Sequence, residues 1–387
     1  MKTLPDTLVL PARMLIGRGK AALLLPECAA FGTRGVLVHG ASLRRGGRLA
    51  ALGTPKGKMA LLHWEHAGGE PTLENVERLR EAARKFRATW IAGVGGGSVL
   101  DLAKAAAGLL HARRPVVHYH DGAPVERPGV PFAAVPTTAG TGAEVTVNSV
   151  LTNALTRVKQ SIRDDRFMAR LVILDADLLA GAPRTVIAYS GMDALTQAIE
   201  SYASRNATWL SDQFALRAIG LIAPALPCVY ANASAPEAED LLVGSSLAGL
   251  GLALARLGLV HGLAHPLGGR YGQPHGLVCA VALPLVIQIN RAKWGVKYDT
   301  MSRAAGGDLR EVVEDLLRCF RIQSPFRGLL LRDRKAVIAE TLAAGSTASN
   351  AKLVTAADVD FVLCELCGRD SDAGDGGNKR EKRASAP

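Results

Sequence analysis

The sequence predicts an α/β domain with a Rossmann-like parallel sheet, followed by an all-helical domain. Its first half alternates short apolar runs with helical patterns, which is typical of parallel strands joined by crossover helices. Beyond Pro183 the pattern changes to long segments rich in alanine and leucine, whose apolar residues recur with helical periodicity. With 387 residues the chain also exceeds the size at which one hydrophobic core stops growing, so two domains are expected.

The individual elements follow in order along the chain. The α/β part contains the segments RGVLVHG from Arg34, LLHWEHAGG, TLENVERLREAARKF, ATWIAGVGGG, SVLDLAKAAAGLL, PFAAVPTT and RLVILDADLL. The helical part contains DALTQAIESYA, SDQFALRAIGLI and AEDLLVGSSLAGLGLALA. We therefore predict a dinucleotide-binding domain over residues 1–183 and a helical domain over residues 184–369. Residues 370–387 have almost no apolar side chains, which predicts a disordered tail.

The composition, 48% hydrophobic and 21% charged, is typical of a soluble globular protein. Apolar runs such as GLIAPALPCVYANA from Gly220 are short or interrupted by proline, so we expect no span of the roughly 20 residues that a membrane helix needs. The N-terminal residues lack the long apolar core of a signal peptide. The expectation is a cytoplasmic protein with no membrane partner.

The formal charge of +11 alone fits a nucleic acid or a phosphate-bearing small molecule equally well. Because the basic residues are dispersed and aromatic residues make up only 5% of the chain, we expect a small-molecule ligand and no nucleic acid. Cys364 and Cys367 form the one C-x-x-C pair and lie in an apolar helical pattern, which favours structural thiols over a metal or redox site.

Two glycine-containing loops follow apolar runs in the α/β half. Gly95, Gly96 and Gly97 precede Ser98 at a predicted helix start, where backbone N–H groups and the helix dipole favour an anion. A glycine-rich turn alone is equally compatible with a plain tight turn. The second loop, PTTAGTGAEVT from Pro136, also follows an apolar run, and two such loops at strand ends of one sheet favour a dinucleotide crevice.

Three histidines lie within fifteen positions, in GLVHGLAHPLGGRYGQPHGL. His261 and His265 share a helical face, and a turn can return His275 to them. Upstream, Asp193 and Gln197 also share a helical face. Each of these residues alone is explained by a helix cap or a local hydrogen bond, but the concentration of histidine favours a divalent metal with an open position for substrate.

Taken together, these motifs resemble the iron-dependent (group III) alcohol dehydrogenases. The matching stretches are GGEPTLENV, GGGSVLDLAKA, PTTAGTGAEVT, GMDALTQAIESY and HGLAHPLGGRYGQPHG, with a weaker NAKLVTAADV near the end. The resemblance covers the chain up to about Gly368. It implies a dinucleotide-binding α/β domain, a helical domain, and a metal and nicotinamide that meet in the cleft between them.

The resemblance also assigns roles to individual residues. It places Asp193, His261 and His275 among the metal ligands, and makes His265 a residue that supports the ligands or relays a proton. It assigns cofactor contacts to residues of the two loops, to the aspartate of the GGGSVLDLAKA motif and to a lysine near the nicotinamide ribose: Gly95, Gly96, Gly97, Ser98, Asp101, Thr137, Thr138, Thr141 and Lys159.

Two positions depart from the family pattern. Gln197 stands where the family usually has a second histidine four residues after the aspartate, and an amide oxygen is a poorer ligand for a transition metal. The related glycerol dehydrogenases resemble this fold with one aspartate and two histidines, usually around zinc, so Fe²⁺ and Zn²⁺ both stay open with Gln197 facing the same cavity. Gly40 stands where NAD-preferring members tend to have an aspartate. Because Ser42, Arg44 and Arg45 follow it, we expect NADP(H) to be preferred and NAD(H) to be possible.

The resulting hypothesis is a homodimeric oxidoreductase that transfers a hydride between NAD(P)H and a small aldehyde or alcohol. Three alternatives stay open: a metal-free reductase of the maleylacetate reductase kind, a non-redox cyclase that resembles dehydroquinate synthase, and a non-catalytic dinucleotide-binding protein. The residues of the PTTAGTGAEVT and HPLGGRYGQPHG motifs favour a dehydrogenase over these alternatives.

Overall fold

A computed structural model describes residues 2–55 and 57–368, so the predicted tail over residues 370–387 lies outside the described residues. The described chain has eight strands: β1 Met14–Ile16, β2 Arg34–Gly40, β3 Ala60–His66, β4 Trp90–Gly95, β5 Phe132–Pro136, β6 Asn148–Thr152, β7 Lys159–Arg163 and β8 Leu171–Leu174. Its helices are α1 Leu24–Cys28, α2 Ala41–Arg45, α3 Leu73–Phe86, α4 Gly97–Gly108, α5 Val116–His120, α6 Arg184–Ala203, α7 Trp209–Ala231, α8 Ala238–Ala255, α9 Leu259–Tyr271, α10 His275–Trp294, α11 Val296–Ala305, α12 Leu309–Phe320, α13 Arg334–Ala343, α14 Gly345–Ala348 and α15 Ala356–Cys367.

The predicted α/β architecture is confirmed. Six strands form one parallel sheet in the order β1-β8-β5-β4-β2-β3, with Val36 opposite Ile91 and Ile91 opposite Phe132. After β2 the chain moves outward to β3 and then returns to the other side of β2 as β4. The carboxyl ends of β2 and β4 therefore flank the point where strand order reverses, which is where ligands bind in open α/β sheets.

Apolar side chains cover both faces of this sheet. One cluster of buried residues includes Leu24, Leu37 and Trp90 and packs α1 against one face. A larger cluster continues from α3 and α4 on the other face into the helical part of the chain. Because both faces are buried, the strands are nearly continuous apolar runs, and this is the pattern that made them recognisable in the sequence.

The second half is helical, as predicted, and begins with α6 at Arg184, directly after Pro183. Among the described helices, three are long and apolar enough to cross a membrane by length and composition alone: Trp209–Ala231, Ala238–Ala255 and His275–Trp294. The expectation that no apolar span approaches this length was wrong, because Pro224 and Pro227 lie inside α7 without ending it. Helix packing explains part of this apolar character, since 44%, 61% and 56% of the three apolar windows are buried within the fold.

A small antiparallel hairpin of β6 and β7 was not predicted from the sequence. Its strands NSVLT and KQSIR mix polar and apolar residues, and they lie in a stretch without clear periodicity. The hairpin places Lys159 and Thr152 opposite each other, and both side chains bind Glu70 of the β3–α3 connection. It thereby fixes Lys159 beside the sheet edge that carries the glycine loops.

Candidate active site in the interdomain cleft

A cleft of about 500 Å³ lies between the carboxyl edge of the sheet and the helical half. Most of the residues that the sequence singled out line it together: Gly40, Ser42, Gly95, Gly96, Gly97, Ser98, Thr137, Thr138, Thr141, Asp193 and His275. The helical half contributes Val186, Tyr189 and Ser190 from α6 to the same wall. The fold therefore brings the two glycine loops and part of the proposed metal site into one cavity.

The glycines after β4 leave no room for side chains. A Cβ atom on Gly95 would lie 2.6 Å from Val99 Cβ, and one on Gly97 would lie 2.7 Å from Thr141 Cγ2. Gly96 caps α4, so the first N–H groups of this helix lack intrahelical partners and face the cleft edge. Bare backbone at a helix N-terminus is suited to bind an anionic group such as a pyrophosphate.

A buried lysine that the sequence interpretation overlooked fixes the second loop. Lys104 is fully buried in α4, and its ammonium group donates to the carbonyl oxygens of Ala143, Thr146 and Asn148 at 2.5, 2.9 and 2.7 Å. Burial lowers the pKa of Lys104. The lysine of the GGGSVLDLAKA motif was the available signal, and its role is to fix the loop that contains Thr141.

Asp101 lies in the same buried region rather than among the residues that line the cleft. One of its carboxylate oxygens is 3.8 Å from the Lys104 ammonium group. Burial raises the pKa of Asp101 to about 6, although Lys104 and a backbone N–H of Val150 oppose the change. The described geometry places Asp101 behind the cofactor cleft.

Four potential metal ligands meet next to the cleft, and two of them, Asp193 and His275, line it. The donor atoms of Asp193, His261, His275 and Cys279 all lie within 4.8 Å of one another. His261 Nε2 is 3.3 Å from Asp193 Oδ1, and His275 Nε2 is 3.7 Å from the same oxygen. Asp193 lies on α6, His261 on α9, and both His275 and Cys279 on α10, so three helices assemble the cluster.

Glu200, which the sequence interpretation did not single out, orients His261. Its Oε2 lies 2.6 Å from His261 Nδ1, and its Oε1 accepts the backbone N–H of Val260 at 2.6 Å. Because a carboxylate only accepts hydrogen bonds, Nδ1 must carry a proton, and Nε2 is left as the atom that faces Asp193. This carboxylate–histidine arrangement is the one that commonly supports a metal-ligating imidazole.

Gln197 contacts the cluster through Asp193. Its Nε2 donates to Asp193 Oδ2 at 3.0 Å, while its buried Oε1 has no hydrogen-bond partner among the described residues. The amide thus occupies one carboxylate oxygen and leaves Oδ1 free to face the two imidazoles. An unpartnered buried carbonyl oxygen is costly, which marks this position as one that accommodates a cation or a bound water.

The charges of the cluster also fit a cation. Burial raises the pKa of Asp193, but His261, His275 and Gln197 outweigh it and lower the pKa to about 2. Burial, with His265 and His261 nearby, lowers the pKa of His275 to about 3, so this imidazole is a neutral ligand at neutral pH. Burial lowers the pKa of His261, but Cys279, Asp193 and Glu200 outweigh it and raise the pKa well above 6.5. A positive charge, from a proton or a metal ion, is therefore favoured between His261 and Asp193.

His265 lies beside the cluster, and its side chain is partly exposed to solvent. Its ring centroid is 5.2 Å from that of His275. Desolvation by the surrounding protein, with Lys159 and His261 nearby, lowers the pKa of His265 to about 4. The neutral form of this imidazole is therefore favoured at neutral pH.

Lys159 and His265 are absent from the residues that line the described part of the cleft. Lys159 instead forms an ion pair with Glu70, which also accepts a hydrogen bond from Thr152. On the other side, Ser42 and Arg45 line the cleft next to Gly40, whereas the guanidinium of Arg44 is held by Glu65. Of the two arginines that follow β2, Arg45 is thus the one placed at the cavity.

Fold and site together define an α/β protein with a helical second half and a cluster of Asp, His and Cys donors that could hold a metal ion beside the cleft between them. Comparison with known proteins agrees with this class. The model of the iron-containing alcohol dehydrogenases matches residues 11–176, and that of the C-terminal part of the Fe-containing alcohol dehydrogenase family matches residues 187–360.

Individual relatives show the same similarity. The chain is 35% identical to lactaldehyde reductase of Escherichia coli over 308 residues, 78% of this chain and 80% of the relative. It is 36% identical to 1,3-propanediol dehydrogenase of Klebsiella pneumoniae over 307 residues, 74% of this chain and 79% of the relative. The chain belongs to the iron-containing alcohol dehydrogenases, a family of metal-dependent aldehyde and alcohol oxidoreductases.

Solved structures of similar proteins have the same fold. A 1,3-propanediol oxidoreductase superposes with a TM-score of 0.87 at 28% identity, covering 93% of this chain and 99% of that one. Sulfoacetaldehyde reductase from Bifidobacterium kashiwanohense, solved in complex with NAD⁺, also has a TM-score of 0.87, at 26% identity, with 95% and 100% coverage.

Proposed function

We propose that this protein is a metal-dependent reductase of small aldehydes, reversible toward the alcohol, that uses NADP(H) in preference to NAD(H). The proposal rests on one observation: the glycines at the end of β4 line the same cleft as Asp193 and His275. A nicotinamide whose pyrophosphate lies on the α4 N-terminus can extend along this cleft toward the metal cluster.

The donor set supports a divalent metal held by Asp193, His261 and His275. When bound there, such an ion supplies Lewis acidity toward a carbonyl oxygen. The side chains of the protein supply the rest of the chemistry. Glu200 holds His261 in one tautomer, and Gln197 orients the Asp193 carboxylate.

We assign proton exchange to His265. Its imidazole is neutral at neutral pH and open to water, and its ring lies 5.2 Å from His275 at the edge of the cluster. A neutral imidazole nitrogen can accept a proton from an alcohol during oxidation and return it during aldehyde reduction. Lys159, fixed by Glu70, contributes a positive charge nearby.

The NADP(H) preference rests on the carboxyl end of β2. Gly40 provides no carboxylate to repel a 2′-phosphate, and Ser42 and Arg45 line the cavity beside it. Arg44 pairs with Glu65, so we assign the phosphate contact to Arg45.

Turnover measurements test the proposed function. Purified protein supplied with Zn²⁺ or Fe²⁺ should change nicotinamide absorbance with a panel of small aldehydes and diols, with NADPH more efficient than NADH. Full activity in a chelated sample with less than about a tenth of an equivalent of metal would favour the maleylacetate-reductase-like alternative. No net turnover with any aldehyde, despite tight dinucleotide binding, would overturn the oxidoreductase assignment and favour a cyclase or a binding protein.

We also propose a homodimer formed through the edge strand β1. Ile16 of this edge strand is 47% exposed, and the N-terminal segment that precedes the strand carries the exposed apolar side chains of Leu4, Leu8 and Leu10, at 54%, 47% and 44%. An unpaired apolar edge favours association. Sedimentation should show a dimer that Leu8→Asp with Ile16→Asp dissociates, while Leu155→Asp at the β6–β7 turn leaves it intact; a monomeric native protein would contradict this arrangement.

A further inference from the structure

We propose that Cys279, rather than Gln197, is the fourth protein ligand of the metal. The inference rests on the proposed metal-dependent function and specifies its site. It predicts an Asp/His/His/Cys centre that selects zinc, or cobalt as its substitute, over iron.

The geometry of Cys279 is that of a ligand. Its sulfur lies 3.7 Å from His275 Nε2 and 4.0 Å from His261 Nε2. In a tetrahedral zinc site, with bonds of about 2.0–2.3 Å, neighbouring donor atoms are about 3.3–3.6 Å apart. The two sulfur–nitrogen separations are slightly longer than these values, and all four donor atoms lie within 4.8 Å of one another, so binding of one ion requires the side chains to move inward.

The placement of Cys279 follows from its helix. It comes one turn after His275 on α10, so both side chains project from the same face toward Asp193 and His261. Cys279 is fully buried, and both imidazole Nε2 atoms approach its sulfur. A position required only for packing would be filled equally well by an apolar side chain, without placing a thiol among nitrogen donors.

Gln197 supplies the second observation. Its side chain is 3% exposed, and its amide nitrogen is committed to Asp193 Oδ2. Its buried carbonyl oxygen has no hydrogen-bond partner within residues 2–55 and 57–368, which indicates that the cluster accommodates a ligand, yet a neutral amide is a weak donor for a transition metal. Gln197 therefore acts as a positioning residue for Asp193, and the sulfur of Cys279 completes the set of four donors.

The identity of the metal follows from donor chemistry. A thiolate is a soft ligand that favours zinc over the harder ferrous ion. Binding of the ion replaces the thiol proton, which passes to water, and forms the metal–sulfur bond. With four protein ligands present, substrate oxygen would enter as an additional ligand.

Cobalt substitution tests the assignment directly. Co²⁺ added to metal-free protein should give a thiolate-to-metal charge-transfer band in the near ultraviolet as well as the visible ligand-field bands. Cys279→Ser and Cys279→Ala should lose the charge-transfer band and bind zinc at least about tenfold more weakly. The matched control is Cys28→Ser, since Cys28 is also a buried thiol but lies in α1, outside the cluster.

The outcomes separate this inference from the proposed function. Stoichiometric Co²⁺ that shows ligand-field bands without a charge-transfer band would overturn ligation by Cys279 and leave the metal-dependent function standing. Protein that binds no metal yet turns over aldehydes would overturn both. Unfolding of the metal-free Cys279→Ala protein should resemble that of the native metal-free protein, which shows that a loss of zinc reports ligation rather than misfolding.

Discussion

The Glu200 carboxylate lies 2.6 Å from His261 Nδ1, and this contact fixes which nitrogen of the imidazole faces the metal cluster. Both side chains are about 3% exposed, so water does not compete for either group. A buried carboxylate that binds a ligand imidazole sets its tautomer and increases its basicity.

Glu200→Gln should therefore weaken metal binding without removing a ligand. We expect zinc affinity to fall by about 10–100-fold, because the neutral amide supports the imidazole less strongly. Competition with a chromogenic chelator measures the change. Glu81→Gln, at an exposed position of α3, serves as the control and should leave affinity unaltered. Equal affinities in the Glu200 variant and the native protein would show that His261 needs no such support.

Gly97→Ala should specifically weaken binding of the dinucleotide. The new Cβ would lie 2.7 Å from Thr141 Cγ2. To relieve this overlap, either the glycine loop after β4 or the loop that contains Thr141 must move. Overpacking of this kind costs about 1–3 kcal/mol, so we expect NADPH binding to weaken by about tenfold or more. Fluorescence titration measures it. Gly269→Ala, which meets no atom within 4 Å, provides the matched change and should bind NADPH normally.

Gly40→Asp should reverse the preference for NADP(H). A Cβ at this position has no neighbour closer than 3.8 Å, so the side chain fits, and its charge repels a 2′-phosphate. We expect kcat/KM for NADPH to fall at least about tenfold, while that for NADH is kept or improved.

Three further substitutions control for size and for local charge. Gly40→Asn adds the same bulk without the carboxylate and should retain more NADPH activity than Gly40→Asp. Arg45→Ala should lower NADPH efficiency more than Arg44→Ala, because Arg44 is held by Glu65. A native enzyme that prefers NADH would contradict the proposed preference for NADP(H).

Gln197→His should shift the metal preference toward iron. An imidazole one turn from Asp193 is a stronger metal ligand than the amide oxygen that it replaces. We therefore expect Fe²⁺ affinity to rise by about tenfold or more. Gln197→Leu removes both amide groups at similar volume and is the comparison. Elemental analysis after exposure to equal iron and zinc measures the ratio, and an unchanged ratio in the histidine variant would count against a metal-facing position 197.

The metal-free protein should lose stability as the pH falls below about 6.5. The pKa of His265 is about 4 in the folded chain against an ordinary value of 6.5, so the unfolded chain binds more protons between these values. The free energy of unfolding therefore decreases as the pH falls through this window. His265→Gln should flatten the dependence measured by urea unfolding between pH 6.5 and about 4. An identical slope in both proteins would show that folding does not lower the pKa of His265.

Much of the site was visible in the sequence because it depends on local rules. The glycines after β4 and the threonines after β5 follow apolar runs, and parallel strands place their carboxyl ends at one edge of the sheet. Asp193 and His261 were recognisable by motif and helical spacing. Gln197 was identified as a departure, and the structure adds that its amide binds Asp193 Oδ2.

Other residues carried no local signal. Glu200 resembles any carboxylate on an apolar helix until α9 packs against α6 and brings His261 to it. Cys279 resembles a core thiol until three helices converge. The hairpin that holds Lys159 was missed because its strands lack a clear alternation, and the length of α7 was missed because neighbouring helices stabilise a helix that contains two prolines.

The sequence by itself determined the parallel sheet, the helical second half and the chemical character of the cleft, because hydrophobic periodicity and glycine loops act over a few residues. The tertiary structure alone decided which donors meet. His261 Nε2 lies 3.3 Å from Asp193 Oδ1 across 68 residues of sequence, and the Cys279 sulfur lies 4.0 Å from that nitrogen. These distances depend on how α6, α9 and α10 pack, and packing between distant helices is set by the whole core rather than by any local pattern.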